Sequence, residues 1–309
     1  MADYDSVDGI LIEGAGLRGR IGERVASASL DLSASSVSQL SLRVLDPGLE
    51  LLRSRALARR AAVNLGPLRL QVAAEGVDPS GPIPAVTTDC RPRAVAALRS
   101  RRGARTWSNL SPDALVRAEV LSVGARAFTE PRPRRRQIIR RVEDNQPPES
   151  SWDLLARLAK EEGCWVFEAE GTVYYGRPSW LLSRLPVYRL EWWAPDDARP
   201  SSPALLAAPS LRWSDDDSEV AASGTVRVLR EQAQVLTPGR GLQLGGSLGP
   251  FNRRYIITGL TLDVGGREAT VTFESPVNPT PEPPDDAPAA DGRTVRAEDG
   301  SVVPASYYA

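Results

Sequence analysis

The sequence predicts a mainly β chain that carries a smaller α/β insertion. Three observations lead there. Runs in which apolar and polar residues alternate, the period of a half-buried strand, recur between residues 26 and 72 and again between 187 and 273. A capped helix followed by a hairpin phrase occupies residues 147–182, with the period changing between the two. From Pro276 onward the chain is too rich in proline and acid to build a core of its own.

Residues 9–19, GILIEGAGLRG, open with a short apolar strand and a literal GxGxxG at Gly14, Gly16 and Gly19. A dinucleotide fingerprint requires a helix to start there, with its N–H groups facing a pyrophosphate. The continuation RIGERVASASLDLSAS puts Gly22 in that first turn and then alternates, so a glycine-rich β-turn is the better reading. Ala26, Ala28, Leu30 and Leu32 are expected on one strand face, with Ser27, Ser29 and Asp31 on the other. Leu40, Leu42 and Val44 repeat the pattern. Asp46-Pro47-Gly48 ends that strand, LELLRSRALARR holds one or more helical turns, and Val63, Leu68, Leu70 and Val72 resume the alternation.

Between Arg91 and Arg141 the chain carries fourteen arginines against Asp113, Glu119 and Glu130, an excess of +11. Inside this stretch Ser111 is an N-cap with Pro112 at the first helical position and Gly124 near the helix end. Leu115, Val116, Val120 and Leu121 give that helix an apolar face. The phrase around Arg132, Arg134, Arg135, Arg136, Arg140 and Arg141 reads either as a phosphate-attracting patch or as a face paired with acidic neighbours. No aromatic residue interleaves RPRRRQIIRR, so stacking of single-stranded bases is poorly supported.

In PPESSWDLLARLAKEEGCWVFEAEGTVYYGRPSWLL, Ser150 is an N-cap and Asp153 completes a short capping box. Trp152, Leu155 and Leu158 fall at helical spacing, and Gly163 sits where a left-handed cap belongs. CWVFEA and TVYYGR, joined by Glu170-Gly171, form a hairpin signal that takes in Trp165, Tyr175 and Gly176. Pro178 then punctuates the chain ahead of Trp180.

Further on, VYRLEWW is strand-like and residues 194–210 read as a loop. Asp215, Asp216 and Asp217 read as a solvated turn, because no calcium-loop spacing follows them. Tyr255, Ile257 and Gly259 alternate, as do Ala269, Val271 and Phe273. The last residues combine a polyproline-II-like arm with an Asp299-Gly300 hairpin signal and the pair Tyr307-Tyr308.

A formal net charge of −1 argues against a globally nucleic-acid-like protein. With no histidine, Ser-His-Asp and Cys-His nucleophiles and histidine metal sites are excluded. Cys90 and Cys164 are expected to be buried thiols. The opening MADYDSVDG lacks the pattern of a signal peptide, and no run is apolar enough to span a membrane, so folding in the cytoplasm is expected. No P-loop occurs, and no cofactor or metal is called for.

The order of the phrases carries a resemblance. "SSVSQLSLRVLDPG", "LGPLRLQVAAEG", the 90–126 segment, the S-W-D helix with its E-E-G stop and hairpin, and Gly249-Pro250-x-Asn252-x-x-Tyr255-Ile256-Ile257 resemble, in that order, the phage tail hub family. That family takes in baseplate hubs of contractile tails and hub-like tail-tip proteins of siphophages and defective prophages. The resemblance implies a first tube-like β-barrel in residues 1–96, an α/β insertion in 97–185, a second barrel in 186–277 and a C-terminal arm in 278–309. It also implies a homotrimer whose paired barrels form a pseudo-sixfold ring at the virion tail tip, assembled in the host cytoplasm. Its partners would be the tail tube or distal tail protein, the tape-measure C-terminus, and fibre or central spike proteins. DNA would pass through the lumen without specific binding during genome ejection. An acidic lumen, with the arginine-rich segment turned outward, would suit that passage.

Two other classes stand beside this structural one. Glu161 and Glu168 are candidates for the paired carboxylates of a peptidoglycan-degrading enzyme. The arginine stretch is the candidate surface of a nucleic-acid-binding protein.

Overall fold

A computed structural model of the chain describes residues 10–13, 24–65, 68–141, 147–194, 197, 205, 207–213, 220–264, 266–276, 294–296 and 302–304. Twelve strands join in one sheet. The first six are β1 (Ile10–Glu13), β2 (Val25–Ser33), β3 (Gln39–Leu45), β4 (Ala62–Leu65), β5 (Leu68–Asp78) and β6 (Ala85–Pro92), with helix α1 (Glu50–Ser54) after β3. The last six are β12 (Val187–Trp192), β13 (Ser210–Trp213), β14 (Val220–Leu229), β15 (Gly241–Gly246), β16 (Arg254–Asp263) and β17 (Glu268–Pro276), with the short helix α6 (Arg230–Ala233) after β14. The main path runs β1-β4-β5-β6-β3-β2-β16-β17-β14-β13, while β15 pairs with β16 and β12 with β15.

The two sets of strands meet where Gly259–Asp263 lies antiparallel to Ser29–Ser33. On that same side, the start of β16 pairs instead with β15 through Arg254–Ile256. The change of neighbour coincides with a bulge between Ile257 and Gly259. A Cβ at Gly259 would overlap the Thr272 hydroxyl, which is why glycine occupies the bend. One apolar cluster spans both sets: Leu30, Leu40 and Val44 from the first, Tyr255, Leu260 and Phe273 from the last. Tyr255 and Phe273 meet edge to face at 4.8 Å.

Alternation placed most of this core, and bulges account for two departures. Ala26 was expected to face inward, but the register shifts between Val25 and Ser27 and leaves Ala26 exposed. Gly259 was expected on the face of Tyr255 and Ile257, but the bulge flips the pattern so that Leu260 and Leu262 are buried instead. Helix α1 is a little over one turn long. Buried Asp46 accepts from the Leu51 and Leu52 amides at 3.2 and 3.1 Å, tying the Asp-Pro-Gly turn to the helix start.

Between β6 and β12 lies a module of α2 (Arg93–Ser100), β7 (Arg105–Leu110), α3 (Pro112–Leu121), β8 (Arg126–Thr129), β9 (Arg136–Arg140), α4 (Ser151–Glu161), β10 (Trp165–Ala169), β11 (Thr172–Gly176) and α5 (Pro178–Arg184). β10-β11-β8 form one small sheet and β7-β9 another. Val95, Val116, Leu155, Val173 and Tyr175 share the core between helices and sheet. On the opposite side Phe167 and Leu181 pack with Ala34, just past β2, and with Ile256 of the large sheet. Pro178, expected to punctuate, is instead the first residue of α5, where its missing N–H costs nothing.

Residues 277–309 form a separate unit, in which β18 (Thr294–Arg296) and β19 (Val302–Pro304) pair antiparallel. The GxGxxG glycines, Asp215–Asp217, the proline-rich arm, Asp299-Gly300 and Tyr307-Tyr308 lie outside the described residues.

Candidate interaction surfaces

The central helix and hairpin assemble as the local code requires. The Asp153 amide donates to Ser150 Oγ at 3.2 Å, and the Ser150 amide donates to Asp153 Oδ2 at 3.3 Å, closing the capping box. Trp152, Leu155 and Leu158 are buried. Gly163 ends the helix at φ 61°, and Glu170 and Gly171, at φ 52° and 77°, give the hairpin the two left-handed residues of a type I′ turn. Tyr175 is fully buried, and Trp165 is half-buried against the Phe167 side of the hairpin. A Cβ at Gly176 would stand 2.8 Å from the Trp180 ring, which packs on Phe128 with centroids 5.1 Å apart. With Pro178 at the start of α5, the eleven residues selected in this stretch of the sequence are therefore brought into one module, chiefly as its frame.

The arginine segment divides in two. Arg140 is buried: its guanidinium donates to Gly103 O at 2.6 Å and Ser151 Oγ at 2.8 Å, and lies over the Trp107 ring. Ser151 Oγ in turn donates to buried Glu119 at 2.7 Å. Arg136 bridges Glu161 at 2.9 Å and Glu162 at 3.1 Å. Arg132 donates to Glu162 O at 3.0 Å and to Cys164 Sγ at 2.9 Å, and lies 3.8 Å from Glu130. Arg134, Arg135 and Arg141 are exposed. Half of the expected patch thus faces its own module. The sequence reading missed the part that involves Arg136 because Glu161 and Glu162, which answer it, come later in the chain.

The two carboxylates do not form a shared site. Glu161 is held between Arg157 and Arg136, which keep its carboxyl below the usual carboxylate range against the opposing effect of partial burial. A groove of about 270 Å³ runs from Arg136 to Arg157, and Glu161 is the single acid lining it. Glu168 belongs to the hairpin, where it accepts from the Gly171 amide at 2.6 Å, and burial raises its pKa to about 7. Among the described residues no group of three potential metal ligands gathers.

A different surface emerges from the register. The face of the large sheet turned away from the core carries rows of short polar side chains. One row runs Arg227, Thr270, Thr261, Asp31, Gln39 across five strands. The next runs Asp263, Ser29, Ser41, Asp89, Ala74, crossing from β16 to β5. These rows contain three aspartates against one arginine and nothing apolar beyond alanine. Ser41 Oγ donates to Asp89 at 2.9 Å, and nearby Arg43 is tied to Asp78 at 3.0 Å. A shallow groove of about 410 Å³ lies on this face between β2 and β5.

No protein-family model matches the chain, and no curated protein matches it. Solved structures do. The 43 kDa tail protein of prophage MuSo2 from Shewanella oneidensis is 12% identical with a TM-score of 0.55, covering 81% of this chain and 92% of that one. The tail protein from Neisseria meningitidis MC58 is 11% identical with a TM-score of 0.57, covering 86% and 96%. The E. coli c3393 protein, a type VI secretion component described as structurally similar to the T4 tail proteins gp27 and gp5, is 15% identical with a TM-score of 0.61, covering 85% and 76%. The chain has the fold of these phage tail and gp27/gp5-like hub proteins.

Proposed function

We propose that the protein is a structural hub of a phage tail tip, with no catalytic role. Three copies would close into a six-lobed ring, each contributing two barrel-like halves, residues 1–96 and 186–277, with 97–185 as the inserted module. The ring would match a sixfold tail tube or distal tail ring to threefold tip proteins, including fibres or a central spike, and would receive the tape-measure terminus. The observation that carries this reading is the polar face that continues across the β2–β16 seam. Its short serine, threonine and aspartate side chains suit the wall of a channel through which DNA slides during ejection. Like charge discourages phosphate from sticking, and small hydroxyls leave a wet, smooth surface. The exposed arginines of the module would then point away from the lumen.

Light scattering of the purified protein, with negative-stain class averages, tests it. A trimeric mass and an open six-lobed ring are expected, either alone or after addition of the distal tail protein. A monomer under both conditions overturns the reading.

A further inference from the structure

A cleft of about 650 Å³ opens between helix α4, the start of β10 and the Ala34–Val37 loop, with the end of α2 beside it. Trp152 and Trp165 line it, and Arg99 and Lys160 supply its cations. The buried Arg99 Nε has no hydrogen-bond partner. Burial lowers its pKa, the Arg91 and Arg102 charges add to the effect, and the Asp153 charge opposes it. Lys160 is exposed, and the one acid lining the cleft, Asp153, is engaged in capping α4. The site thus combines indole surface with two cations against one acid, a net positive charge.

The chain itself contains a segment of the opposite character. Residues 277–291, VNPTPEPPDDAPAAD, hold five prolines and four acids, Glu282, Asp285, Asp286 and Asp291, with no base. Proline-rich chain adopts extended PPII at small entropic cost and docks in aromatic-lined grooves, and its acids would complement Arg99 and Lys160. We propose that this cleft receives segment 277–291 from a second copy of the chain. The choice of a neighbouring copy rests on the ring proposed above, whereas the match of cleft to segment does not.

Lys160 is the sole lysine in the sequence, which makes the test specific. The full-length protein is prepared as a mixture of 14N- and 15N-labelled chains and treated with a zero-length carbodiimide coupler. Cross-links are then read by mass spectrometry. The expected product joins Lys160 to Glu282, Asp285, Asp286 or Asp291, with mixed-isotope pairs, and it disappears in Lys160→Arg. Links confined to single-isotope pairs overturn the exchange between copies, and absence of any link to these four acids overturns the docking. A synthetic 277–291 peptide added to the full chain separates this from failure of the ring. Even for a monomer, Trp fluorescence should report binding that weakens at least ~10-fold in Arg99→Glu, as expected for loss of a charge-assisted contact. Equal affinity for both chains refutes the cleft.

Discussion

Replacing Glu168 by glutamine isolates a single electrostatic cost inside the hairpin. The carboxyl is 8% exposed, accepts one backbone N–H from Gly171, and has its pKa raised by burial, and secondarily by the Glu170 charge, from 4.5 to about 7. In the unfolded chain it loses its proton near the ordinary value, while the folded chain keeps it until about pH 7. Between those limits the unfolded state binds fewer protons, so stability falls as pH rises. Below about pH 4.5 the group costs nothing. Above pH 7 the full difference, roughly 3 kcal/mol at 1.36 kcal/mol per pH unit, is present. Glutamine keeps an oxygen for the Gly171 amide and cannot ionise. Urea unfolding of the full chain between pH 4.5 and 8 should therefore show Glu168→Gln gaining about 3 kcal/mol on the parent, with the gain accumulating between pH 5 and 7. A difference between the two proteins that stays constant across this range would refute the assignment.

Ser150→Ala removes one half of the capping box on α4 and should cost about 1 kcal/mol by the same unfolding measurement. Gly239→Ala should be far more damaging. Its φ is 84°, and the added methyl would overlap the Phe167 ring, so amide exchange should accelerate in β10 before the large sheet. Arg140→Ala removes the buried guanidinium that donates to Gly103 O and Ser151 Oγ and should cost about 3 kcal/mol, whereas Arg135→Ala at the exposed end of the same segment should change stability by less than about 0.5 kcal/mol.

What was legible in the sequence was local. The capping box at Ser150, the left-handed stop at Gly163 and the tight hairpin turn at Glu170-Gly171 each depend on a few adjacent residues, and all three stand as read. The alternation of Leu40, Leu42 and Val44 likewise fixes a face without reference to a partner. Ala26 and Gly259 escaped because a bulge is a property of a strand pair: nothing in either strand alone says where the partner slips. The arginine segment misled for the same reason. Its charge is conspicuous along the chain, while Glu161 and Glu162, which answer Arg136, arrive at the end of a different element. Charge balance is a tertiary quantity.

The seam between β2 and β16 shows how such a tertiary quantity produces a surface. Thr261 and Asp263 on one strand, Ser29 and Asp31 on the other, are unremarkable as outward halves of two amphipathic strands separated by more than two hundred residues. Pairing Thr261 with Asp31 and Asp263 with Ser29 aligns them into rows that continue onto β3 and β17. The rows exist because β16 exchanges β15 for β2 at its bulge, and the bulge is tolerated because Gly259 has no side chain to meet Thr272. A residue without a side chain thus decides whether two halves of the chain present one continuous polar wall or two separate faces. A larger residue there would disturb the pairing of β16 with β17 first. The seam to β2, formed by the strand immediately after the bend, would follow.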